Sequence, residues 1–245
     1  MNIKTVRVLL ICSLLLNVLM GIYVGKRAYF ILSGKSKMAG LECDEQCRYF
    51  KKILKFEMDK NEKDEIVFLG NSLTEYNDWS VMFGDQHLKN RGIEGDNTIG
   101  ILKRLEEVLS SRPRKIFLEI GINDVLGYSH GYPLPENYGD ERILTNYEEI
   151  IVQIKKQSPG TLLFLQNILP VSEERSRAGN YNERIKNLNQ SLESLSKKYQ
   201  CTYIDLYQGF EERGSLKRAF TYDGIHITKE GYEVWKKKIE KYVKD

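Results

Sequence analysis

Residues of the kinds that build metal centres and disulfide scaffolds are scarce in this sequence. Its 245 residues include 3 histidines and 4 cysteines, too few and too scattered for a multi-metal protein or a small disulfide-rich domain. Prolines number 5 and glycines 19, which excludes collagen-like and low-complexity chains. Any chemistry must therefore depend on a small number of residues.

A strong excess of one charge is also missing. Lys and Arg total 37 against 34 for Asp and Glu, a formal net charge of +3, and the basic residues are interspersed rather than clustered, which disfavours nucleic-acid binding. The mean hydropathy of -0.44 excludes a protein with many membrane spans. The phosphate-loop, dinucleotide-binding and His-Glu-x-x-His motifs do not occur. We therefore expect neither nucleotide nor zinc chemistry.

A long apolar run lies near the amino end, from Val8 to Val24, with basic residues on both sides. Its 17 residues (24 − 8 + 1) reach the range of about 17 to 25 for a membrane-spanning helix and exceed the roughly 7 to 15 of a cleavable signal. We predict that residues 1–27 form an uncleaved transmembrane signal anchor, with a cleaved signal as the alternative. The flanking charges do not fix its orientation. The short basic amino tail resembles that of a secretory signal, so we expect an extracytoplasmic globular part.

Residues 28–62 are predicted to form a tether with one short helix, from Cys47 to Met58, where apolar side chains recur at helical spacing. Cys43 and Cys47 lie four residues apart in this segment. A helix would hold them near the upper limit of disulfide reach, so a bridge requires a non-helical start. We expect unpaired thiols or a local disulfide, and a metal or redox site is the alternative. Cys201 precedes an apolar strand and is expected in the core.

From residue 63 to 245, short β-rich runs alternate with longer helical segments. The predicted strands are Ile66–Leu69, Leu88–Arg91, Lys115–Ile120, Leu162–Gln166 and Thr202–Asp205. The predicted helices are Trp79–Phe83, Thr98–Ser110, Ile143–Lys156, Asn182–Lys198 and Lys229–Tyr242. This alternation predicts one α/β domain, in which a five-stranded parallel sheet is sandwiched between layers of helices.

Polar or glycine-bearing loops follow the first three predicted strands. They are Gly70-Asn71-Ser72, Gly92-Ile93-Glu94-Gly95-Asp96 and Gly121-Ile122-Asn123-Asp124. In open α/β sheets, reactive groups collect beyond the carboxyl ends of the strands. We therefore expect an active site where these three loops meet.

Ser72 follows a strand and a glycine, at a predicted turn into a helix that would expose its hydroxyl. A hydroxyl nucleophile needs a base and a group that orients the base. Asp223 stands three residues before His226, and in a turn this spacing lets the carboxylate bind one ring nitrogen while the other faces outward. Taken singly, a helix-capping serine and a structural histidine are the alternatives.

Acyl transfer also needs hydrogen-bond donors for the oxyanion. Gly95 can bring its backbone N–H close to a ligand because it has no side chain. Asn123 offers a side-chain amide, and the Ser72 backbone N–H completes a set of three donors. The alternative for Asn123 is an Asx turn or a helix cap.

These motifs resemble the four sequence blocks of the GDSL, or SGNH, hydrolases. Residues 66–74 (IVFLGNSLT) resemble the first block and residues 90–96 (NRGIEGD) the second. Residues 121–124 match Gly-x-Asn-Asp of the third block, and residues 223–226 match Asp-x-x-His of the last. The four blocks occur in the family's order over roughly residues 64–243. Asn71 departs from the name-giving pattern, which has Asp there.

The resemblance implies a three-layer α/β/α, flavodoxin-like fold and an esterase with no metal or organic cofactor. It implies that Ser72 is the nucleophile and that Asp223 and His226 complete a catalytic triad. It also implies that the Ser72 amide, Gly95 and Asn123 form the oxyanion hole. The Asn at position 71 keeps the short polar shape of Asp but loses the charge.

The sequence motifs do not identify a single substrate class. The family includes carbohydrate O-acetylesterases, platelet-activating-factor acetylhydrolase-like proteins and lysophospholipases. In the loop 126–140, Tyr128, His130 and Tyr132 are candidate substrate contacts, and packing within the loop is the alternative. Because no long apolar lid segment is evident, we expect short-chain deacylation of a small-molecule or glycan ester. The alternatives are acyl transfer by the same serine, a lysophospholipase-type lipid esterase, and a silent membrane-tethered binding protein.

Overall fold

The computed structural model describes residues 43–59, 62, 64–176 and 180–245. The chain divides into two compact units, and the boundary falls between Lys55 and Phe56, inside the helix Glu45–Met58. The predicted membrane anchor and much of the predicted tether lie outside the described residues. Of the helices that are described, none is long and apolar enough to cross a membrane.

The first unit contains a local disulfide between Cys43 and Cys47, whose Cα atoms are 5.4 Å apart. The helix begins at Glu45, so Cys43 precedes it and supplies the non-helical start that such a bridge requires. The Asp44 carboxylate accepts a hydrogen bond of 2.8 Å from the Cys47 N–H, which satisfies one of the free donors at the helix start. In the second unit, Cys201 is a partly buried free thiol.

Five parallel strands form the central sheet, and all five predicted strands are confirmed to within one residue at either end. The strands are β1 (Ile66–Gly70), β2 (Leu88–Gly92), β3 (Lys115–Glu119), β4 (Leu162–Gln166) and β5 (Thr202–Ile204). A two-stranded antiparallel hairpin comprises β6 (Glu211–Glu212) and β7 (Ser215–Leu216). The spatial order of the sheet is β2-β1-β3-β4-β5, the order of flavodoxin-type sheets.

This order brings the three polar loops together. In the register of the sheet, Gly70 at the end of β1 pairs with Gly92 of β2 on one side and with Glu119 of β3 on the other. The strand order reverses between β1 and β3, and ligands of open α/β sheets bind at such switch points. Ser72 and Asn123 follow the two strands that flank this reversal.

The described residues contain the following α-helices, of which those after the first connect and cover the strands. They are α1 (Glu45–Met58), α2 (Ser72–Glu75), α3 (Trp79–Phe83), α4 (Thr98–Ser110), α5 (Ile122–Leu126), α6 (Asp140–Gln157), α7 (Glu173–Ser176), α8 (Tyr181–Lys198), α9 (Tyr207–Phe210) and α10 (Lys229–Lys244). The four long helices predicted for the α/β region and the short α3 are present apart from shifts at their ends. A helix was predicted to begin at Ser72, where α2 lies, whereas the short helices α5, α7 and α9 were not predicted, because they show no hydrophobic period.

A row of stacked aromatic rings fills one face of the sheet. Phe117 lies 4.9 Å from Phe68 and 4.5 Å from Phe164, centroid to centroid, and Trp79 stacks on Phe68 at 4.2 Å. Trp235 of α10 packs against Trp79 in the same row, and its Nε1 donates to the Gln166 side chain. Alternate residues of the same strands point to the opposite face and are equally buried, so helices cover both faces, as parallel sheets require.

Candidate active site

The turn after β1 presents Ser72. A Cβ at Gly70 would lie 2.2 Å from the Glu119 carbonyl oxygen, so only glycine allows β1 and β3 to end this close together. Asn71 then caps α2, because its Oδ1 accepts a hydrogen bond of 2.8 Å from the Leu73 N–H. Ser72 is therefore the first residue of a short helix, where its side chain can face the cleft beyond the sheet.

Ser72, His226 and Asp223 form a continuous chain of hydrogen bonds. Ser72 Oγ lies 2.9 Å from His226 Nε2, and His226 Nδ1 lies 2.6 Å from Asp223 Oδ2. Burial raises the pKa of Asp223, but hydrogen bonds from the His226 ring and from the N–H groups of Ile225 and His226 outweigh it and hold the pKa below its usual value. The ionised carboxylate therefore holds a proton on Nδ1, which leaves Nε2 able to accept the proton of Ser72.

The Asp223–His226 turn is held by Ser172, which precedes α7, and by Arg175 within α7. Gly224 has a φ of +89°, in the left-handed region that glycine adopts readily, and a Cβ there would lie 2.3 Å from Ser172 Oγ. The Ser172 N–H donates to the Gly224 carbonyl at 2.8 Å, and Arg175 Nε donates to the Asp223 carbonyl at 3.1 Å. This contact fixes the turn over a sequence separation of about fifty residues.

The three expected donors line the same cleft. Asn123 Nδ2 donates one hydrogen to the Asp96 carbonyl at 2.7 Å, which orients the amide and leaves its second hydrogen for a ligand. The N–H groups of Ser72 and Gly95 have no acceptor among the residues that the structure describes. All three residues border the cleft beside His226. The geometry therefore offers hydrogen bonds to an oxygen atom close to Ser72 Oγ.

Buried polar pairs fix the loops that carry these donors. The Asp96 carboxylate binds the Arg104 guanidinium at 2.8 Å with both side chains almost fully buried, and Arg104 also donates to the Gly70 carbonyl at 3.1 Å. Asp124 accepts hydrogen bonds from Thr98 N and Oγ1, at 3.1 and 2.6 Å. Burial raises the pKa of Asp124 to about 6, although these bonds lower it. The loops after β1, β2 and β3 are therefore tied to one another.

The sequence blocks thus meet at one edge of the sheet, in the geometry of a serine hydrolase. Residues 68–234 match the family model described as the GDSL-like Lipase/Acylhydrolase family. The chain belongs to this family.

Similar proteins support this membership. Human platelet-activating factor acetylhydrolase IB subunit alpha1 is 25% identical over 180 residues, which cover 71% of this chain and 72% of the human subunit. A solved structure from Streptococcus pneumonia, whose name refers to platelet activating factor, is 31% identical, with a TM-score of 0.69, and covers 81% of this chain and 92% of that chain. An acetylxylan esterase from Geobacillus stearothermophilus, solved as a catalytic mutant, shares the fold, with 14% identity, a TM-score of 0.59 and coverage of 76% and 96%. The protein is an ester hydrolase of the GDSL type.

The cleft of this GDSL-family protein has a volume of about 580 Å³. Of the three candidate substrate contacts, Tyr128 lines it, whereas His130 and Tyr132 are not among its lining side chains. The His130 ring instead packs against Gly95, where a Cβ would lie 2.3 Å from it. The Tyr132 carbonyl accepts a hydrogen bond from Asn97 Nδ2 at 2.9 Å. These contacts support the shape of the loop rather than form its cleft-facing surface.

Two tyrosines that sequence reasoning missed flank the His226 ring. Tyr76 lies 5.2 Å and Tyr222 5.9 Å from it between ring centroids, with the Tyr222 ring inclined by 15°. Both also line a second cavity of about 780 Å³, whose lining includes none of the three residues that carry the oxyanion donors. Neither carried a recognisable signal, although Tyr222 directly precedes the Asp-x-x-His block.

Arg175 and Tyr181 also line the main cleft without having been predicted. They belong to α7 and α8, which lie between the third and fourth blocks of the sequence. A four-residue helix such as α7 has no periodic pattern, so only the folded chain reveals that it borders the site.

Proposed function

We propose that this protein is a serine esterase that removes acetyl or similarly short acyl groups from carbohydrate, through a covalent acyl-enzyme. The observation that carries the proposal is the chain of two short hydrogen bonds, 2.9 Å from Ser72 to His226 and 2.6 Å from His226 to Asp223. Each group in this chain has the partner that its chemical role requires.

In the acylation step, Ser72 Oγ attacks the ester carbonyl carbon while His226 Nε2 takes the hydroxyl proton. The carbonyl oxygen becomes an oxyanion, which accepts hydrogen bonds from Ser72 N–H, Gly95 N–H and the free hydrogen of Asn123 Nδ2. The intermediate then collapses, the bond to the alcohol oxygen breaks, and His226 returns its proton to that oxygen. Asp223 stays ionised throughout and stabilises the imidazolium.

Deacylation repeats the sequence with water. His226 Nε2 takes one proton of a water molecule as its oxygen attacks the acyl carbon, and the same donors hold the second oxyanion. Collapse breaks the bond to Ser72 Oγ, which regains its proton from His226 as the carboxylic acid leaves. Removal of one oxyanion donor from such an enzyme typically slows it by about 10² to 10³.

Support for a short acyl group comes from the relatives. The human relative is named an acetylhydrolase, and the Geobacillus protein is named an acetylxylan esterase. Those two names refer to different alcohols but to the same acyl group. Acetyl esters are therefore the first class to test.

Support for a carbohydrate alcohol comes from the direction in which the alcohol must leave. His226 has to protonate the leaving oxygen, so the alcohol lies on the His226 side of the scissile bond, away from the oxyanion donors. On that side the two flanking rings, Tyr76 and Tyr222, lead into the second cavity. Its lining also includes the polar side chains of Asn77, Lys229 and Glu233. Exposed aromatic faces beside hydrogen-bonding groups suit a sugar ring, which has apolar faces and polar edges.

The substitution Tyr222→Ala tests this assignment. Tyr222 is 66% exposed, so its removal should leave the fold intact. We expect kcat/KM for an acetylated xylooligosaccharide to fall about tenfold, equivalent to about 1.4 kcal/mol of lost stacking. For vinyl acetate, whose alcohol part is too small to reach the ring, we expect less than a twofold change. Initial-rate kinetics on both esters measure the ratio.

The substitution Tyr128→Ala is the matched control, because Tyr128 is also an exposed tyrosine but lines the main cleft and not the second cavity. It should affect both esters to a similar degree. Equal losses on both esters in Tyr222→Ala, or no hydrolysis of acetylated sugars by the unmodified enzyme, would remove the carbohydrate assignment. Preferential transfer of the acyl group to an added sugar would favour an acyltransferase.

We also propose that residues 1–27 anchor the esterase in a membrane, with the catalytic domain outside the cytosol. The apolar run from Val8 to Val24 and its basic flanks support this. The full chain should then remain with membranes after alkaline carbonate washing, whereas a chain beginning at residue 28 should not. External protease should digest the catalytic domain in intact cells; recovery of the full chain in the carbonate wash would contradict the anchor.

A further inference from the structure

Glu119 is a carboxylic acid with no ionic partner beneath the nucleophile turn. It is the last residue of β3, it pairs with Gly70 in the register of the sheet, and it is fully buried. In the part of the chain that the structure describes, neither of its carboxyl oxygens has a hydrogen-bond partner. The Nδ2 atom of Asn71, on the adjoining turn, is likewise buried and unpartnered. The catalytic scheme uses neither group.

The surroundings of Glu119 disfavour a charge. Two phenols are close enough for Glu119 to act on them, Tyr147 of α6 and Tyr232 of α10, and burial is the largest cause that raises the pKa of both above its usual value. The guanidinium of Arg104 of α4 pairs with Asp96 at 2.8 Å and donates to the Gly70 carbonyl at 3.1 Å, and no cation of the described residues lowers the pKa of Glu119. Burial raises the pKa of Glu119 to about 8, although the Asn71 amide lowers it. The carboxyl is therefore uncharged at neutral pH.

Asn71 connects this carboxyl to the nucleophile. Its Oδ1 is occupied by the Leu73 N–H at 2.8 Å, so its amide nitrogen is the part that remains for Glu119. The Leu73 carbonyl in turn accepts a hydrogen bond of 2.8 Å from Tyr232. Ser72 therefore lies between Asn71, which adjoins the Glu119 carboxyl, and Leu73, whose carbonyl is bound by Tyr232. An Asp at position 71 would place a second carboxyl against Glu119, and two such groups cannot both be ionised at this depth.

We propose that Glu119 is a positioning residue for Ser72: its uncharged carboxyl and the Asn71 amide act as one buried unit that orients the nucleophile turn. The Asn at position 71 is then required by the Glu at position 119, since an Asp would introduce like-charge repulsion. This inference rests on Ser72 being the nucleophile. It predicts that ionisation of Glu119 at alkaline pH disturbs the turn and lowers kcat.

The test compares Asn71→Asp, Glu119→Gln and the double variant with the full-length enzyme on p-nitrophenyl acetate. We expect Asn71→Asp to lower kcat at least tenfold at about pH 8, with KM nearly unchanged. The kcat of this variant should recover as the pH falls. Glu119→Gln keeps the shape without the ionisation, so it should retain kcat at neutral pH and lose the alkaline decline. The double variant should restore kcat to within about threefold, because it holds one carboxyl instead of two.

Stability gives a second readout that does not depend on catalysis. The pKa of Glu119 is raised in the folded state from 4.5 to about 8, so between these values the folded protein holds a proton that the unfolded chain has lost. Stability therefore falls as the pH rises through this window, by up to tenfold per pH unit in the folding constant. The Glu119→Gln variant has no such titrating group. Its stability relative to that of the unmodified protein should therefore increase as the pH rises.

Three results would overturn the inference. They are an alkaline decline in Glu119→Gln equal to that of the unmodified enzyme, an Asn71→Asp variant that is fully active at pH 8, and a double variant as slow as Asn71→Asp alone. A Glu119→Gln protein that does not fold would also contradict the inference, because an uncharged side chain of the same shape should be tolerated there. If no activity depends on Ser72, the proposed function fails, while the pH dependence of unfolding still tests the buried pair.

Discussion

Replacement of Ser72 by alanine should lower kcat on p-nitrophenyl acetate by about 10⁴-fold or more, because it removes the atom that forms the acyl-enzyme. Ser72 Oγ contacts His226 Nε2 at 2.9 Å, and the oxyanion donors remain in place in the variant. The loss of one hydrogen bond should cost only about 1 kcal/mol of unfolding free energy. Kinetics and thermal unfolding, measured on the same preparation, separate the two effects.

A fluorophosphonate probe gives the same test a covalent readout. It should label the unmodified protein at Ser72, and peptide mapping should find the adduct on that residue. The variant Ser191→Ala is the matched control, because Ser191 is a half-buried serine of α8 whose hydroxyl donates to the Asn187 carbonyl at 3.1 Å. It should keep full labelling and full activity. Equal rates in Ser72→Ala and the unmodified enzyme would exclude Ser72 as the nucleophile. They would favour the alternative of a catalytically silent binding protein.

The fold was predictable because its signals are local. Each strand is a short apolar run between glycines or polar residues, and each long helix has a buried stripe at helical spacing, as α4 shows. In a parallel sheet the carboxyl ends of the strands necessarily share one edge. The shared edge of the loops that carry Ser72, Gly95 and Asn123 therefore followed from a parallel sheet, whereas their adjacency depends on the strand order that the structure shows.

The parts that escaped prediction depend on contacts between distant segments. The bond from Arg175 to the Asp223 carbonyl joins residues 48 apart, and nothing near Arg175 in the sequence indicates it. Glu119 looked like one more residue of an apolar strand until its depth and its lack of a cation were known. Tyr76 and Tyr222 come together only because the last turn folds back over α2. Such pairings are properties of the tertiary structure and have no periodic signature.

The substitution Asp223→Asn should lower kcat by about 10⁴-fold while preserving the turn. Asp223 Oδ1 accepts the Ile225 N–H at 2.9 Å and the His226 N–H at 2.8 Å, and an asparagine oxygen can keep both bonds. Its amide nitrogen would then face His226 Nδ1, where Oδ2 stood at 2.6 Å. A donor in that place favours the tautomer that carries its proton on Nε2. His226 would then donate to Ser72 and could no longer accept its proton.

The pH profile and a matched variant separate this effect from general damage. Because the pKa of Asp223 is held below its usual value, the carboxylate is ionised at all pH values where the imidazole can act, so its own protonation should not limit activity above about pH 4. Asp205→Asn is the control: Asp205 also accepts two hydrogen bonds, from Asn167 Nδ2 at 2.8 Å and Gln208 N at 3.1 Å, but lies outside the cleft. It should leave kcat unchanged. An Asp223→Asn enzyme within tenfold of the unmodified rate would mean that the backbone alone holds the His226 tautomer, and that the carboxylate charge contributes little to the transition state.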